Sequence, residues 1–312
     1  MSKSTKRLYK DKWTINEIPD LSGKVMIVTG SNRGLGFVVA NQLARHNAHV
    51  IMAVRNIDQG ENARKEILSS YPEAKIDVLK LNLANLSSIQ SFTTEFKEKY
   101  SQVDALLNNA GITSSVKIPA HSTTDDGFEY FFGVNHLGTY ALTGSLFDVL
   151  KKTPHSRVVT VSSLSHRQAK MNFDDVMFEK KYPKGKIYGQ SKLANLLFGY
   201  ELSRLIQQNK LPMKSIVVHP GFAKSSKKSQ GFLVELGKKI LAQSAEQGSL
   251  PLLYGMVSPD VENGDFIGPN GFMGIRGFPK RVTSSQRSYN ENDALKVWHM
   301  SQELTKVIFQ LN

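Results

Sequence analysis

Cysteine is absent from the 312-residue chain. Disulfides, thiolate catalysis and zinc sites built on sulfur are therefore excluded, and the absence fits a reducing compartment. No apolar run approaches the roughly 18 residues that a membrane span needs. The basic opening MSKSTKRLYKDKW is followed by neither an apolar segment nor a small-residue cleavage site, so it does not read as a secretory signal. A soluble, cytoplasmic protein is expected. Histidines 121, 136, 166 and 219 have no metal-ligand spacing and read as structural or surface residues, so no metal is expected. Internal repeats, low-complexity tracts and Pro/Gly linkers are also lacking, which argues for one domain over residues 21–312. A short N-terminal arm (1–20) would precede it, and a substrate-loop and C-terminal extension would begin at about residue 222.

Acidic residues are outnumbered, 27 against 40 lysines and arginines, for a net charge of +13. That balance suits a polyanionic partner. The cations are dispersed, however; the densest groups are SKSTKR near the start and KSSKK at Lys224–Lys228. No zinc finger, RNP-type aromatic sequence or basic heptad region accompanies them. A basic surface that tolerates anionic substrates and cofactors is the expectation, and nucleic-acid binding is not.

Hydrophobic content of 40% and charged content of 21% supply an ordinary globular core. Six short β-rich runs recur: KVMIVTG from Lys24, AHVIMAV from Ala48, KIDVLKL from Lys75, VDALLNN from Val103, RVVTVSS from Arg157 and KSIVVHP from Lys214. Several are apolar on consecutive residues, as strands covered on both faces are. Helical segments lie between them. Leu35, Val38, Val39 and Leu43 form a stripe in the first, and Asn85 is placed to N-cap the third. Alternation of this kind specifies an α/β fold, a Rossmann-type doubly wound parallel sheet with helices on both faces. After Gly221 the pattern changes to two helical stretches (GFLVELGKKILAQ and SAEQGSLPLLYGMVS), a Gly/Pro-rich segment (ENGDFIGPNGFMGIRGFPKRV) and a terminal helix (ENDALKVWHMSQELTKVI).

At the end of the first strand stands TGSNRGLG, spanning Gly30, Ser31, Asn32, Arg33, Gly34, Leu35 and Gly36. Glycine at such a turn permits positive φ and close backbone approach to a pyrophosphate, and the helix N-terminus that follows favours its charge. A glycine triplet alone is equally a turn; between strand one and helix one it indicates dinucleotide binding. Where an acid would bind the ribose 2′-hydroxyl of NAD, the second strand ends in Arg55. Each of Arg33 and Arg55 alone is equally a solvated surface residue. Together they favour NADP(H) over NAD(H).

In IYGQSKLANLLFGYELSRL, Leu193, Leu196, Leu197 and Tyr200 mark a helix laid on a core. Its first turns place Tyr188 and Lys192 on one face. Alone, the pair reads as a packed tyrosine beside a snorkelling lysine.

The order of TGSNRGLG, NNAG (Asn108–Gly111), NHLG (Asn135–Gly138), VSS (Val161–Ser163), YGQSK and HPG (His219–Gly221) changes that reading. From about Leu21 onward the chain resembles the short-chain dehydrogenase/reductase family, within its retinol-dehydrogenase-like branch that includes WW-domain oxidoreductases. The resemblance implies an NADP-dependent oxidoreductase interconverting a carbonyl and an alcohol on a lipophilic small molecule. Asn135, Ser163, Tyr188 and Lys192 would be its catalytic set. Tyr188 would be the general acid/base, Lys192 would lower its pKa and bind the cofactor ribose, Ser163 would hold the substrate oxygen, and Asn135 would anchor a relaying water. Ser163 is chosen over Ser162 by the family register.

Lowering a phenol from near pH 10 by two units requires about 2.7 kcal/mol. An ammonium about 4 Å away supplies on the order of 4 kcal/mol at an effective dielectric near 20, before desolvation. The resemblance also puts Asn109, Ala110 and Gly111 along the cofactor, and Pro220 and Gly221 in the nicotinamide loop.

Two positions depart from the family's pattern. Asn82-Leu83 replaces Asp-Leu beside the adenine, and Ser225 stands for the threonine that caps the nicotinamide amide. The hydrophobic N-terminal anchor of membrane-bound relatives is lacking. The substrate pocket would involve residues 222–241 and GPNGFMGIRGF, and relatives suggest a homodimer or homotetramer. A non-catalytic NADP-binding sensor or scaffold is the alternative, against which the intact Ser163, Tyr188 and Lys192 argue.

Overall fold

The computed structural model describes residues 12–222 and 243–311. Its centre is an eight-stranded sheet in the order β3-β2-β1-β4-β5-β6-β7-β8. The strands are β1 Val25–Thr29, β2 His49–Val54, β3 Ile76–Lys80, β4 Ala105–Asn108, β5 Ser156–Val161, β6 Met213–Val218, β7 Phe266–Pro269 and β8 Pro279–Arg281. The first seven run parallel and β8 is antiparallel to β7. All six strands expected from the sequence are present. The last two were not expected, because they lie in the Gly/Pro-rich segment. Tertiary pairing overrides propensity there: β7 completes a ladder on β6, and prolines stand at the ends of the short β7–β8 pair.

The helices are α1 Gly34–Arg45, α2 Ile57–Ser70, α3 Leu86–Lys99, α4 Tyr130–Phe132, α5 Gly138–Ser145, α6 Phe147–Lys152, α7 Lys184–Gln208, α8 Ala245–Val257 and α9 Glu291–Thr305. Asn56 and Asn85 cap α2 and α3, accepting from the amides of Gln59 and Ser88. One apolar core on the α1/α2/α8 side of the sheet gathers Val28, Val39, Leu43, Val50, Leu253 and Tyr254. A second, on the α3/α5 side, gathers Ile27, Ile51, Phe92, Phe96, Tyr140 and Phe198. This is a single α/β domain with helices on both faces.

The described part of the expected N-terminal arm is packed. Trp13 is buried and meets the Tyr254 ring edge-on at 5.3 Å. Thr14 and Glu17 close a reciprocal capping box around the turn that follows. The first expected helix after Gly221, GFLVELGKKILAQ, lies outside the described residues except for Gln243. No helix among the described residues is long and apolar enough to cross a membrane, and no group of their His, Asp and Glu side chains could hold a metal ion.

Candidate active site

Parallel strands end on one edge, so Gly30, Arg55, Asn109, Ser163 and Pro220 share it. The strand order reverses between β1 and β4, which opens the crevice where doubly wound sheets take ligands. Thr29, the last residue of β1, stitches this crevice: its hydroxyl accepts from the amides of Asn109 and Ala110, both at 2.9 Å. Asn109 Nδ2 also donates to Thr29 O at 2.8 Å. The expected cofactor-lining amide thus holds the two halves of the sheet together.

The glycine loop is shaped for close approach. Gly30 has φ +67°, and a Cβ there would lie 3.0 Å from Ala110 Cα. At Gly36 a Cβ would overlap the Gly30 carbonyl oxygen and sit 2.6 Å from Asn109 Nδ2. Gly36→Ala is therefore expected to weaken dinucleotide binding at least tenfold and to lower the melting temperature, checked by fluorescence titration and calorimetry. Arg33 precedes α1 in an extended conformation and gives it no side-chain cap, so the first amides of the helix remain available to an anion. Ser31 Oγ is buried with no hydrogen-bond partner among the described residues. An orphan hydroxyl in a glycine cradle before an uncapped helix fits a dinucleotide's ribose and phosphates. Asn32 ties the loop to α2 through Gln59 at 2.9 Å. Arg33 and Arg55 are exposed, and neither has an ion-pair partner among the described residues. Asn82 spends its side-chain oxygen on the Ala84 amide at 3.2 Å, while Leu83 is buried. Ser225 lies outside the described residues.

The catalytic candidates converge from three elements. Glu129 caps α4 through the amides of Phe131 and Phe132 and accepts from Tyr182 Oη at 2.6 Å. The chain then runs through a single π-turn, Gly133–Leu137, into α5. Asn135 sits inside that turn and is buried. Its side chain pairs with Ile112, Oδ1 accepting from the amide at 2.8 Å and Nδ2 donating to the carbonyl at 3.0 Å. Nδ2 also reaches Ser191 Oγ at 3.0 Å. A Cβ on Gly111 would lie 2.8 Å from Asn135 Oδ1 and 3.6 Å from Lys192 Nζ. Asn135, Lys192 and the NNAG turn therefore meet at one point.

Ser162 and Ser163 are separated by their partners. Ser162 is buried and donates to the Lys192 carbonyl at 2.7 Å. Ser163 is only partly buried and hydrogen-bonds the Tyr188 phenol, which supports its assignment as the substrate-facing serine. His166 steadies that turn, Nδ1–H donating to Ser163 O at 2.5 Å while Nε2 accepts from the Ser285 amide at 3.1 Å.

Tyr188 and Lys192 are both buried on α7. Burial pushes the Tyr188 phenol above its ordinary value, and the Ser163 hydrogen bond opposes that rise. Burial pushes Lys192 down to about 8. The expected lowering of the phenol is thus not a property of the two side chains alone. Desolvation dominates both, and Lys192 Nζ donates to Val161 O at 3.1 Å.

A stability prediction follows from Lys192. Between about 8 and the ordinary 10.5, the unfolded chain carries a proton that the folded one has released. Stability attributable to this group therefore climbs as pH rises through that window, and below it the buried charge costs roughly 3 kcal/mol, an upper figure. Lys192→Met should melt above the wild type at pH 7, and the difference should shrink towards pH 10.5. Calorimetry across that range checks it; a lower melting point at pH 7 would refute it.

Sequence reading missed Gln243, which is buried, has no partner at Oε1 among the described residues, and donates from Nε2 to Pro220 O at 2.5 Å. It supports the HPG turn from outside the spacing of any motif, so no sequence signal marks it.

A parallel sheet with a glycine cradle at its switch point, and a buried Tyr-Lys pair with a half-buried serine beside it, is the arrangement of a nicotinamide-dinucleotide oxidoreductase. The chain belongs to the short-chain dehydrogenase family, whose sequence model matches residues 24–231. It is similar to mouse retinol dehydrogenase 12, with 35% identity over 289 residues that make up 91% of this chain and 87% of that protein. It is also 35% identical to the chicken WW domain-containing oxidoreductase over 317 residues, 97% of this chain and 73% of that one. A crystal structure of a Mycobacterium paratuberculosis protein superposes with a TM-score of 0.80 at 34% identity, covering 96% of this chain and 99% of its own. The chain is therefore an oxidoreductase of alcohol or carbonyl groups.

Proposed function

We propose that the protein is an NADP(H)-dependent reductase and dehydrogenase of a lipophilic aldehyde, ketone or alcohol. The observation that carries this reading is the convergence of Ser163, Tyr188 and Lys192 within a buried, mostly apolar setting. The Tyr188 ring packs with Phe131, Phe178 and Ile187, and Ile112, Ile118 and Tyr182 adjoin them. Retinol, named in the mouse relative, is a compound of the class such walls suit. Gly30 to Gly36, Asn109 to Gly111, Pro220 and Gly221 would hold the dinucleotide, and Arg33 and Arg55 would bind a 2′-phosphate.

When bound, the reduced nicotinamide supplies hydride to the carbonyl carbon. Ser163 holds the carbonyl oxygen, and Tyr188 gives its phenolic proton to the oxygen as negative charge develops there. Lys192 would hold the ribose and, through its charge, stabilise the phenolate left behind. Burial of Tyr188 and Lys192 excludes bulk water and strengthens that interaction. A screen of aldehydes, ketones and quinones following NADPH absorbance tests the reading. Steady consumption with one lipophilic carbonyl supports it; cofactor binding without turnover on any carbonyl or alcohol would leave the protein a sensor.

A further inference from the structure

We infer that Asn195 and His136 are positioning residues for Lys192, acting through the carbonyl of Val161. The inference deepens the reading of Lys192 given above and rests on it.

Val161 O, at the last residue of β5, accepts from two donors of α7: Lys192 Nζ at 3.1 Å and Asn195 Nδ2 at 3.2 Å. An ammonium has three N–H bonds. With one fixed on Val161 O, the head is held beside Gly111 and two donors remain for a ribose and a phenolate. The carbonyl is the anchor, and whatever holds it in place aims the lysine.

Asn195 is oriented by the next member of the chain. Its Oδ1 lies 3.3 Å from His136 Nδ1, and an amide oxygen only accepts, so Nδ1 carries the proton. His136 Nε2 lies 2.8 Å from Ser301 Oγ on α9. The imidazole is fully buried, and burial drives its pKa down to about 4, so the ring is neutral; Nε2 faces a serine hydroxyl whose one proton also has Val297 O as an acceptor at 2.6 Å. Val161 O takes a donor from Asn195, which leaves Oδ1 towards His136 and puts the ring proton on Nδ1. The flip of Asn195 is fixed, since turning it would face two donors together and put an amide oxygen against a carbonyl.

The row also sets register. Asn135 and His136 are consecutive in the π-turn, and they bind Ser191 and Asn195, one helical turn apart on α7. Loss of the His136 tie would leave Asn135–Ser191 as the remaining side-chain hydrogen bond of the π-turn to α7 among the described residues. The spacing between the Gly111–Asn135 point and Lys192 depends on both.

Asn195→Leu and Lys192→Ala are made singly and together, and NADPH affinity is followed by fluorescence titration. Asn195→Leu is expected to weaken NADPH at least fivefold in the wild-type background and less than twofold beside Lys192→Ala, because it acts through the lysine. Equal weakening in both backgrounds would overturn the inference and leave Asn195 a packing residue. This arm needs no turnover, so it is read even if the proposed activity fails.

With an alcohol substrate, the acid limb of kcat/KM should move upward by about half a pH unit or more, as the phenol loses its aimed cation. A purely structural role would lower the melting point and leave that limb in place. Should Asn195→Leu fail to fold, His136→Asn and His136→Leu replace it. The asparagine amide stands where Nδ1–H stood and should restore most of the affinity that the leucine loses; equal affinities for the two would overturn the inference.

Discussion

Tyr188→Phe is expected to stop turnover while leaving NADPH affinity within about twofold of the wild type. The substitution removes one hydroxyl. The ring keeps its edge-on contact with Phe131 at 6.3 Å and its place among Phe178 and Ile187. Melting temperature should therefore hold, and it should rise slightly if the phenol was poorly satisfied in its buried setting. Loss of a positioned general acid costs roughly two to four orders of magnitude in rate. The loss should appear in kcat rather than in KM, because the proton moves only as the alkoxide forms. Steady-state kinetics and fluorescence titration on one preparation decide the matter. Retention of most of the wild-type kcat would remove Tyr188 from the mechanism, whatever its neighbours.

Ser163→Ala is a useful companion. Its hydroxyl is the one group that lowers the Tyr188 pKa in the protein as it stands. The variant should lose rate and should also push the phenol further upward, moving the acid limb for alcohol oxidation to higher pH. Ser162→Ala should behave differently, since that hydroxyl serves the Lys192 carbonyl. It should lower stability more than it moves the limb.

The sheet was legible because six of its strands are short apolar runs flanked by turn chemistry. β7 and β8 were not, because Gly268 and Pro269 carry no strand propensity and owe their extended state to pairing across the sheet. The glycine cradle was legible from spacing, since only residues without a Cβ fit where the Gly36 position meets Gly30. The packing of Trp13 on Tyr254 was not legible, because an isolated aromatic in a basic stretch gives no periodicity to read. The four-residue spacing of Tyr188 and Lys192 put them on one helix face, and only the order of the motifs around them singled them out. Asn195, one turn further on the same helix, was hidden as a polar residue inside an apolar stripe. The π-turn was hidden as well, because backbone hydrogen-bond register leaves no trace in the residues NHLG themselves. The balance of effects on the phenol was not legible. Charge spacing points to a lowered pKa, and burial, which sequence reports poorly, pushes the other way.

Cofactor choice gives the second large effect. Arg55 follows the last residue of β2, and Gly30 N donates to Ala53 O at 2.8 Å, so the arginine and the glycine loop are neighbours on the sheet edge. Arg33 closes the same loop, and no carboxylate neutralises either guanidinium among the described residues. A 2′-phosphate carries more than one negative charge that NAD lacks. Charge-assisted hydrogen bonds of this kind are worth about 1.5–3 kcal/mol each. One such contact gives NADPH about a tenfold advantage or more, at about 1.4 kcal/mol per decade. Because both arginines are exposed, the advantage should shrink as salt rises. Arg55→Asp should invert the preference: it removes an attraction, adds a repulsion and supplies an acceptor for the ribose hydroxyl. Arg33→Ala should weaken NADPH alone, without improving NADH. Kinetics with both cofactors at two salt concentrations, for the wild type and the two variants, measure all of this. Equal use of NADPH and NADH by the wild type, or an unchanged ratio in Arg55→Asp, would mean that the two arginines are solvated surface residues and that the 2′-position is read elsewhere.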